Sequence, residues 1–248
     1  MKIRGSIPNF ITSLNLLCGV LAVTFSFRGE EIWAVYCVLA AALFDFLDGF
    51  SARLLKAYSP MGKELDSLAD LISFGMVPAV LIMNRYERIL GVVNDGNAFQ
   101  TTLSFLSYFP LIIVLFSALR LAKFNIDTRQ SSGFIGLPTP ANALLIIGLI
   151  HFTNVNTIFE TIEYNLWFWP FLSLILSILL VAEIPMFSLK FKSLKWRENI
   201  TVYSFIIFGL FTAVIFVIFS FVWSGWVALI FISYIIFNLL NSIICRKI

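Results

Sequence analysis

Phe44–Asp70 reads FDFLDGFSARLLKAYSPMGKELDSLAD and sets Asp45, Asp48, Asp66 and Asp70 among long apolar runs. The runs decide the fold class. The 248-residue chain is 60% hydrophobic and 12% charged, with 27 phenylalanines, and its mean hydropathy of +0.94 is far above that of a soluble domain. A bilayer-spanning helix needs roughly 20 apolar residues, and about eight such stretches can be placed, over 9–27, 32–53, 65–84, 103–121, 138–155, 166–184, 201–220 and 226–244. The expectation is an all-α integral membrane protein, one membrane domain over 1–248, in contact with membrane lipids throughout.

The first stretch follows Lys2 and Arg4, as the core of a secretory signal peptide would. Seven further spans and the lack of a small-residue cleavage site before Gly29 make it a retained helix instead. Lys and Arg collect in cytoplasmic loops. Of 17 such residues, only Arg28, Arg85 and Arg88 fall in the outer set when the N-terminus is placed inside. Both termini and the 53–64 linker are therefore expected in the cytoplasm, and a chain of this kind fits a bacterial inner membrane. The net charge of +3 reflects this bias and points to no nucleic-acid partner.

Cys18, Cys37 and Cys245 lie singly in apolar spans and offer neither a disulfide framework nor metal-ligand spacing. His151 is the only histidine; near the outer end of a span, it reads as structural.

An ionised aspartate at the centre of a spanning helix costs about 2.5–3.5 kcal/mol even on the lenient insertion scale. Interfacial charges at helix ends would account for any one of the four. Their spacing favours a site. Asp45 and Asp48 are three apart and Asp66 and Asp70 four apart, so each pair projects from one face of its helix. Consecutive antiparallel helices can bring the two acidic faces together, with Arg53 as the only cation nearby in sequence. Carboxylates so gathered repel unless hard divalent ions sit between them, Mg²⁺ or Mn²⁺, and two ions suit this many ligands.

Gly49 and Ala52 lie on or beside the Asp45/Asp48 stripe, and Gly62 stands four before Asp66. Small residues in membrane helices serve close packing; beside a metal cluster they also leave room for a ligand such as a diphosphate. The sequence leaves both readings open.

The pattern D-x2-D-G-x2-A-R-x8-G-x3-D-x3-D is complete in Asp45, Asp48, Gly49, Ala52, Arg53, Gly62, Asp66 and Asp70, and it resembles the signature of the CDP-alcohol phosphatidyltransferases. Four further segments look like the phosphatidylserine synthase branch of that family: IPNFIT with Asn15, LDSLADLISFG from Leu65, RLAKFN from Arg120, and GLPTPANA from Gly136. The resemblance implies a six-helix catalytic core over 1–190, with 191–248 as two additional C-terminal helices, and a homodimer. It also implies that the four aspartates hold two divalent ions across the diphosphate of CDP-diacylglycerol, that Gly49, Ala52 and Gly62 make room for the nucleotide, and that Arg53 contacts its phosphates.

The implied reaction passes the phosphatidyl group to the hydroxyl of L-serine with release of CMP. A serine hydroxyl is a weak nucleophile, so a carboxylate must take its proton, and Asp70 is the candidate base. Direct displacement predicts inversion at phosphorus and no phosphoryl-enzyme. Arg120, Lys123 and Asn125 are candidates to hold the serine or the lipid phosphate, although Arg120 could equally be an interfacial anchor. The family run RLARFN reads RLAKFN here, and lysine lacks the bidentate fork of arginine. The competing readings are a sister enzyme acting on glycerol 3-phosphate, inositol phosphate or choline, and a divalent-cation transporter. Elsewhere, Lys190, Lys192, Lys195, Trp196 and Arg197 read as a headgroup anchor, and Trp167, Trp169, Trp223 and Trp226 as interfacial belts.

Overall fold

A computed structural model of the chain describes residues 2–92, 105–127, 134–156, 164–187, 199–219 and 221–245. Arg129, the basic residues from Lys190 to Arg197, Arg246 and Lys247 lie outside the described residues. Eight helices carry the fold among those described: α1 (Lys2–Phe27), α2 (Glu31–Leu55), α3 (Pro60–Asp70, continued by Leu71–Met76 and Val77–Val92), α4 (Ile112–Ile126), α5 (Thr139–Val155), α6 (Phe168–Val181), α7 (Ile200–Ile218) and α8 (Trp223–Cys245). Two short strands, β1 (Phe134–Ile135) and β2 (Pro185–Met186), pair antiparallel. The chain is thus an all-α, multi-span membrane protein, as its composition required.

The α2–α3 turn is set by local chemistry. Lys56 takes a left-handed conformation, φ 51° and ψ 43°, and its N–H closes on the Ala52 and Arg53 carbonyls to end α2. Shortly after, Ser59 caps α3 by accepting the Gly62 N–H at 3.0 Å, with Pro60 at the first helical position. The turn reverses the chain, and both acid-bearing helices pack against α1.

Helix α3 is the central element. Of its spanning stretch 61% is buried, against 11% for α7. Its outer half, taken as the one away from Asp66 and Asp70, packs all round: Val77, Ala79, Leu81, Ile82 and Tyr86 are buried together with Ile146, Ile147 and Ile150 of α5 and Trp169 of α6. Between the halves, Leu71–Met76 is wound as a π-helix that begins immediately after Asp70. Gly75 there lets α4 approach, since a Cβ on it would stand 3.0 Å from the Ser117 Cβ.

The outer ends of α2, α3 and α5 are tied by charge. Glu31, 4% exposed, accepts from Arg85 Nη1 at 2.6 Å and Asn154 Nδ2 at 2.8 Å, and it pairs with Arg88. This accounts for two of the three arginines that the sequence placed outside.

Some expectations change. Among the described residues, six helices are long and apolar enough to cross a membrane, whereas Thr139–Val155 and Phe168–Val181 are shorter. At about 1.5 Å per residue, the latter reaches roughly 21 Å, less than a hydrocarbon core of about 30 Å. Helix α6 stops because Ala182 turns extended ahead of Pro185, which cannot continue a helix. The fourth span is displaced inward from 103–121 and ends at Ile126. Trp169 belongs to no interfacial belt, being fully buried. Trp226 is an interhelical tie instead, its indole N–H shared between Gly209 O and Thr212 Oγ1, both at 3.2 Å. His151 is structural, bonded to Ser224 Oγ at 3.0 Å.

Candidate functional site

The inner halves of α1, α2 and α3 meet around the aspartates. Asp45 and Asp48 of α2 and Asp66 of α3 each offer an oxygen, and these oxygens all lie within 4.8 Å of one another. Asp70 stands one turn outward, and Asp45 is within hydrogen-bonding reach of both Asp66 and Asp70. The cluster is held from α1. Thr12 Oγ1 donates to Asp48 Oδ2 at 2.6 Å, and Asn15 Nδ2 reaches Asp70 Oδ1 at 3.4 Å. Asp48 and Asp70 are buried, and Asp66 Oδ1 is buried without a hydrogen-bond partner.

Hard oxygen donors converging on one point, with an orphaned carboxylate oxygen among them, are what a hard divalent cation requires. The donor set fits such an ion. A cavity of about 530 Å³ adjoins it, lined among others by Asn9, Thr12, Asp48, Gly49, Ala52, Gly62 and Asp66; Asp45 and Asp70 do not line it.

The glycines separate the two readings that the sequence left open. A Cβ on Gly49 would meet only Arg53 Nη1, at 3.6 Å, so nothing in the fold needs a glycine there. A Cβ on Gly62 would come within 2.9 Å of Asn9 Oδ1 and 3.1 Å of Ser59 Oγ. Gly49 leaves space in the cavity, whereas Gly62 serves the approach of α1 and the cap of α3. Arg53 is exposed beside Gly49.

Of the three candidates on α4, only Arg120 points inward. It is 6% exposed, donates to Thr139 Oγ1 at 3.0 Å, lies over the Phe124 and Phe134 rings at 5.2 and 5.9 Å, and is in electrostatic range of Asp70. Its Nε has no hydrogen-bond partner, and neither do Ser117 Oγ or the amide atoms of Asn142. Ser117 stands three before Arg120 on α4, and Asn142 three after Thr139 on α5. Lys123 is instead half-exposed and paired with Glu183 at 3.0 Å. Asn125 binds α3, donating to Ser67 Oγ at 2.9 Å and accepting from Lys63 Nζ at 2.7 Å.

Residues 5–181 match the model of the CDP-alcohol phosphatidyltransferase family. The chain belongs to this family. It is similar to the CDP-diacylglycerol--serine O-phosphatidyltransferase of Methanocaldococcus jannaschii, 30% identical over 203 residues that cover 81% of this chain and 79% of that one. It is also similar to the proteins of the same name from Helicobacter pylori, 32% identical over 212 residues (85% and 81%), and Saccharomyces cerevisiae, 34% identical over 177 residues (64% and 58%). As a CDP-alcohol phosphatidyltransferase, the chain keeps its acidic cluster and cavity wholly inside the matched region, while α7 and α8 lie beyond it.

Sequence reasoning assigned no role to Thr12, Asn15 or Asn142. A signal for the first two was present. Asn9, Thr12 and Asn15 recur every three residues along a mostly apolar helix, which marks one polar stripe facing the bundle interior. Asn142 gave none, because a single amide in GLPTPANA is indistinguishable from a helix-start residue.

Proposed function

We propose that the protein transfers the phosphatidyl group of CDP-diacylglycerol to the hydroxyl of L-serine, giving phosphatidylserine and CMP. The observation that carries this reading is the convergence of three carboxylates beside a cavity that Gly49 leaves open, one turn from buried Asp70. The relatives' names support serine as the acceptor.

In this reading Asp45, Asp48, Asp66 and Asp70 hold two divalent ions, Mg²⁺ or Mn²⁺, which when bound would neutralise the diphosphate and stabilise charge on the reacting phosphoryl oxygens. The chain's own residues do the rest. Thr12 fixes Asp48 by its short hydrogen bond. Gly49 and Ala52 leave room for the nucleotide, with Gly62 holding the cavity wall closed against α1, and Arg53 on the exposed rim offers its guanidinium to the phosphates. Arg120, fixed on Thr139 and stacked over two phenylalanine rings, presents a guanidinium to the serine carboxylate, and Asn142 supplies the amide of that pocket. Lys123 and Asn125 support the pocket through Glu183 and Ser67 rather than touching serine.

Asp70 takes the proton from the serine hydroxyl as its oxygen bonds to the lipid-bearing phosphorus. The bond from that phosphorus to the oxygen of CMP breaks, and CMP leaves with the electron pair. No histidine is placed to form a covalent intermediate, since His151 is engaged with Ser224. Direct displacement, with inversion at phosphorus, is the route these residues support.

The lysine and arginine distribution supports a cytoplasmic site in a plasma membrane. The match over 5–181 supports residues 1–190 as the catalytic core and 191–248 as an addition, and the family resemblance supports a homodimer. The deciding experiment is CMP release by the purified protein given CDP-diacylglycerol and Mg²⁺ or Mn²⁺, with L-serine, glycerol 3-phosphate, inositol phosphate or choline in parallel. Release with serine, abolished by EDTA and reduced about 10²–10⁴-fold by Asp70→Asn, is expected. Release with another acceptor would overturn the serine assignment. Silence with every acceptor would overturn the transfer itself.

A further inference from the structure

We infer that the C-terminal helix α8, outside the family-matched residues, positions Arg120 through Tyr234 and Asn238 and so sets the protein's grip on its acceptor. This rests on the reading that Arg120 contacts the acceptor.

Helix α8 is seated firmly on α5. A Cβ on Gly148 would stand 3.1 Å from Ser224 O and 3.2 Å from Ala228 N, so the two backbones meet without an intervening side chain. From this seat α8 takes hold of one residue of the inner loop by both its backbone polar groups. The Tyr234 hydroxyl donates to Phe187 O at 2.9 Å, and the Phe187 N–H donates to Asn238 Oδ1 at 3.0 Å. The Asn238 amide is itself oriented by donating to Tyr234 O at 2.7 Å. Tyr234 and Asn238 are 6% and 1% exposed. The Phe187 ring completes the grip, edge-on to Tyr234 at 5.0 Å and Phe237 at 5.7 Å.

Phe187 immediately follows β2, whose Met186 and Pro185 pair with Phe134 and Ile135 of β1. The β1 side is anchored again when Gly136 N donates to Ile184 O at 2.9 Å. Phe134 carries one of the two rings beneath the Arg120 guanidinium. Tyr234 also stands in electrostatic range of Arg120 directly. A hydrogen-bonded path therefore runs from α8 through Phe187 and the strand pair to the aromatic seat of Arg120. The hydroxyl and the amide belong to buried side chains, and in a low-dielectric interior satisfied polar pairs fix geometry strongly.

Tyr234 and Asn238 are positioning residues and touch no substrate. Tyr234→Phe keeps the ring and removes one hydrogen bond; Asn238→Ala removes the other half of the grip. Each is expected to raise the acceptor KM roughly 3- to 10-fold, the range one neutral hydrogen bond commands, while kcat and the KM for CDP-diacylglycerol stay within about twofold and the melting temperature is checked in parallel. In an Arg120→Lys background, Tyr234→Phe is expected to add nothing further to the acceptor KM, because the group being positioned is gone.

An unchanged acceptor KM in either variant that folds overturns the inference. So does an equal rise from Tyr234→Phe in the wild-type and Arg120→Lys backgrounds, which would mean a general loosening of the bundle. The serine reading fails separately, in the wild-type acceptor comparison, and the same KM ratios are then read with whichever acceptor releases CMP.

Discussion

Gly49→Ala is expected to make the protein more stable and less active. The two effects come from the same open space. Gly49 lies in the interior of α2, where glycine costs about 0.5–1 kcal/mol relative to alanine, and the added methyl would meet nothing closer than Arg53 Nη1 at 3.6 Å. Folding should gain that amount, a rise of roughly 1–4 °C in melting temperature for a chain of this size. The methyl would, however, occupy cavity volume that the proposed nucleotide needs. A misfit of one methyl group costs about 1–3 kcal/mol, which is 10- to 200-fold in KM. Gly75→Ala is the control. Its Cβ would stand 3.0 Å from the Ser117 Cβ, so overpacking of about 1–3 kcal/mol should lower the melting temperature. Thermal melts in detergent and CMP release at varied CDP-diacylglycerol measure both quantities. If Gly49→Ala melted lower, with activity falling in proportion, Gly49 would be a packing glycine and the cavity would not be the nucleotide site.

Thr12→Val should preserve the shape of α1 but release Asp48, raising the Mg²⁺ or Mn²⁺ concentration needed for half-maximal binding by about 10–100-fold; metal-dependent thermal stabilisation of the protein without substrate reads this directly. Glu31→Ala removes the buried carboxylate that binds Arg85, Arg88 and Asn154 and should cost about 3–5 kcal/mol in stability, with the acceptor KM of the remaining folded protein unchanged. Lys123→Ala breaks only an ion pair whose side chains are 40% and 64% exposed, so less than about fivefold is expected in any kinetic parameter; a larger loss of acceptor affinity would show that Lys123 reaches the substrate.

Much of the site was legible because its chemistry is improbable in a membrane. Four aspartates at three- and four-residue spacing could meet across consecutive helices, and the fold brings Asp45, Asp48 and Asp66 together. The small residues were legible only as a set: spacing put Gly49, Ala52 and Gly62 near the acids but could not tell space from contact, since that depends on what the neighbouring helix presents. Arg120 and Lys123 lie in one short run and differ in which way they point, a property of helix phase and of the distant partners Thr139 and Glu183. Trp169 was misread for a related reason. A tryptophan near the end of an apolar run suits an interface or a core equally well, and packing decided for the core.

The π turn at Leu71–Met76 has a consequence for the phase of α3. An ordinary α-helix advances about 100° per residue, so its polar and apolar faces stay locked along its whole length. The widened turn after Asp70 lets the inner half aim its carboxylates at α1 and α2 while the outer half takes up a separate rotation suited to burial on every side. Removing one residue from that turn would swing the outer segment by about 100° relative to the acids. Either Tyr86 and the outer core or Asp66 and Asp70 would then lose their present neighbours. The two halves of α3 behave as separately indexed helices on one axis, joined at the residue proposed to carry the proton.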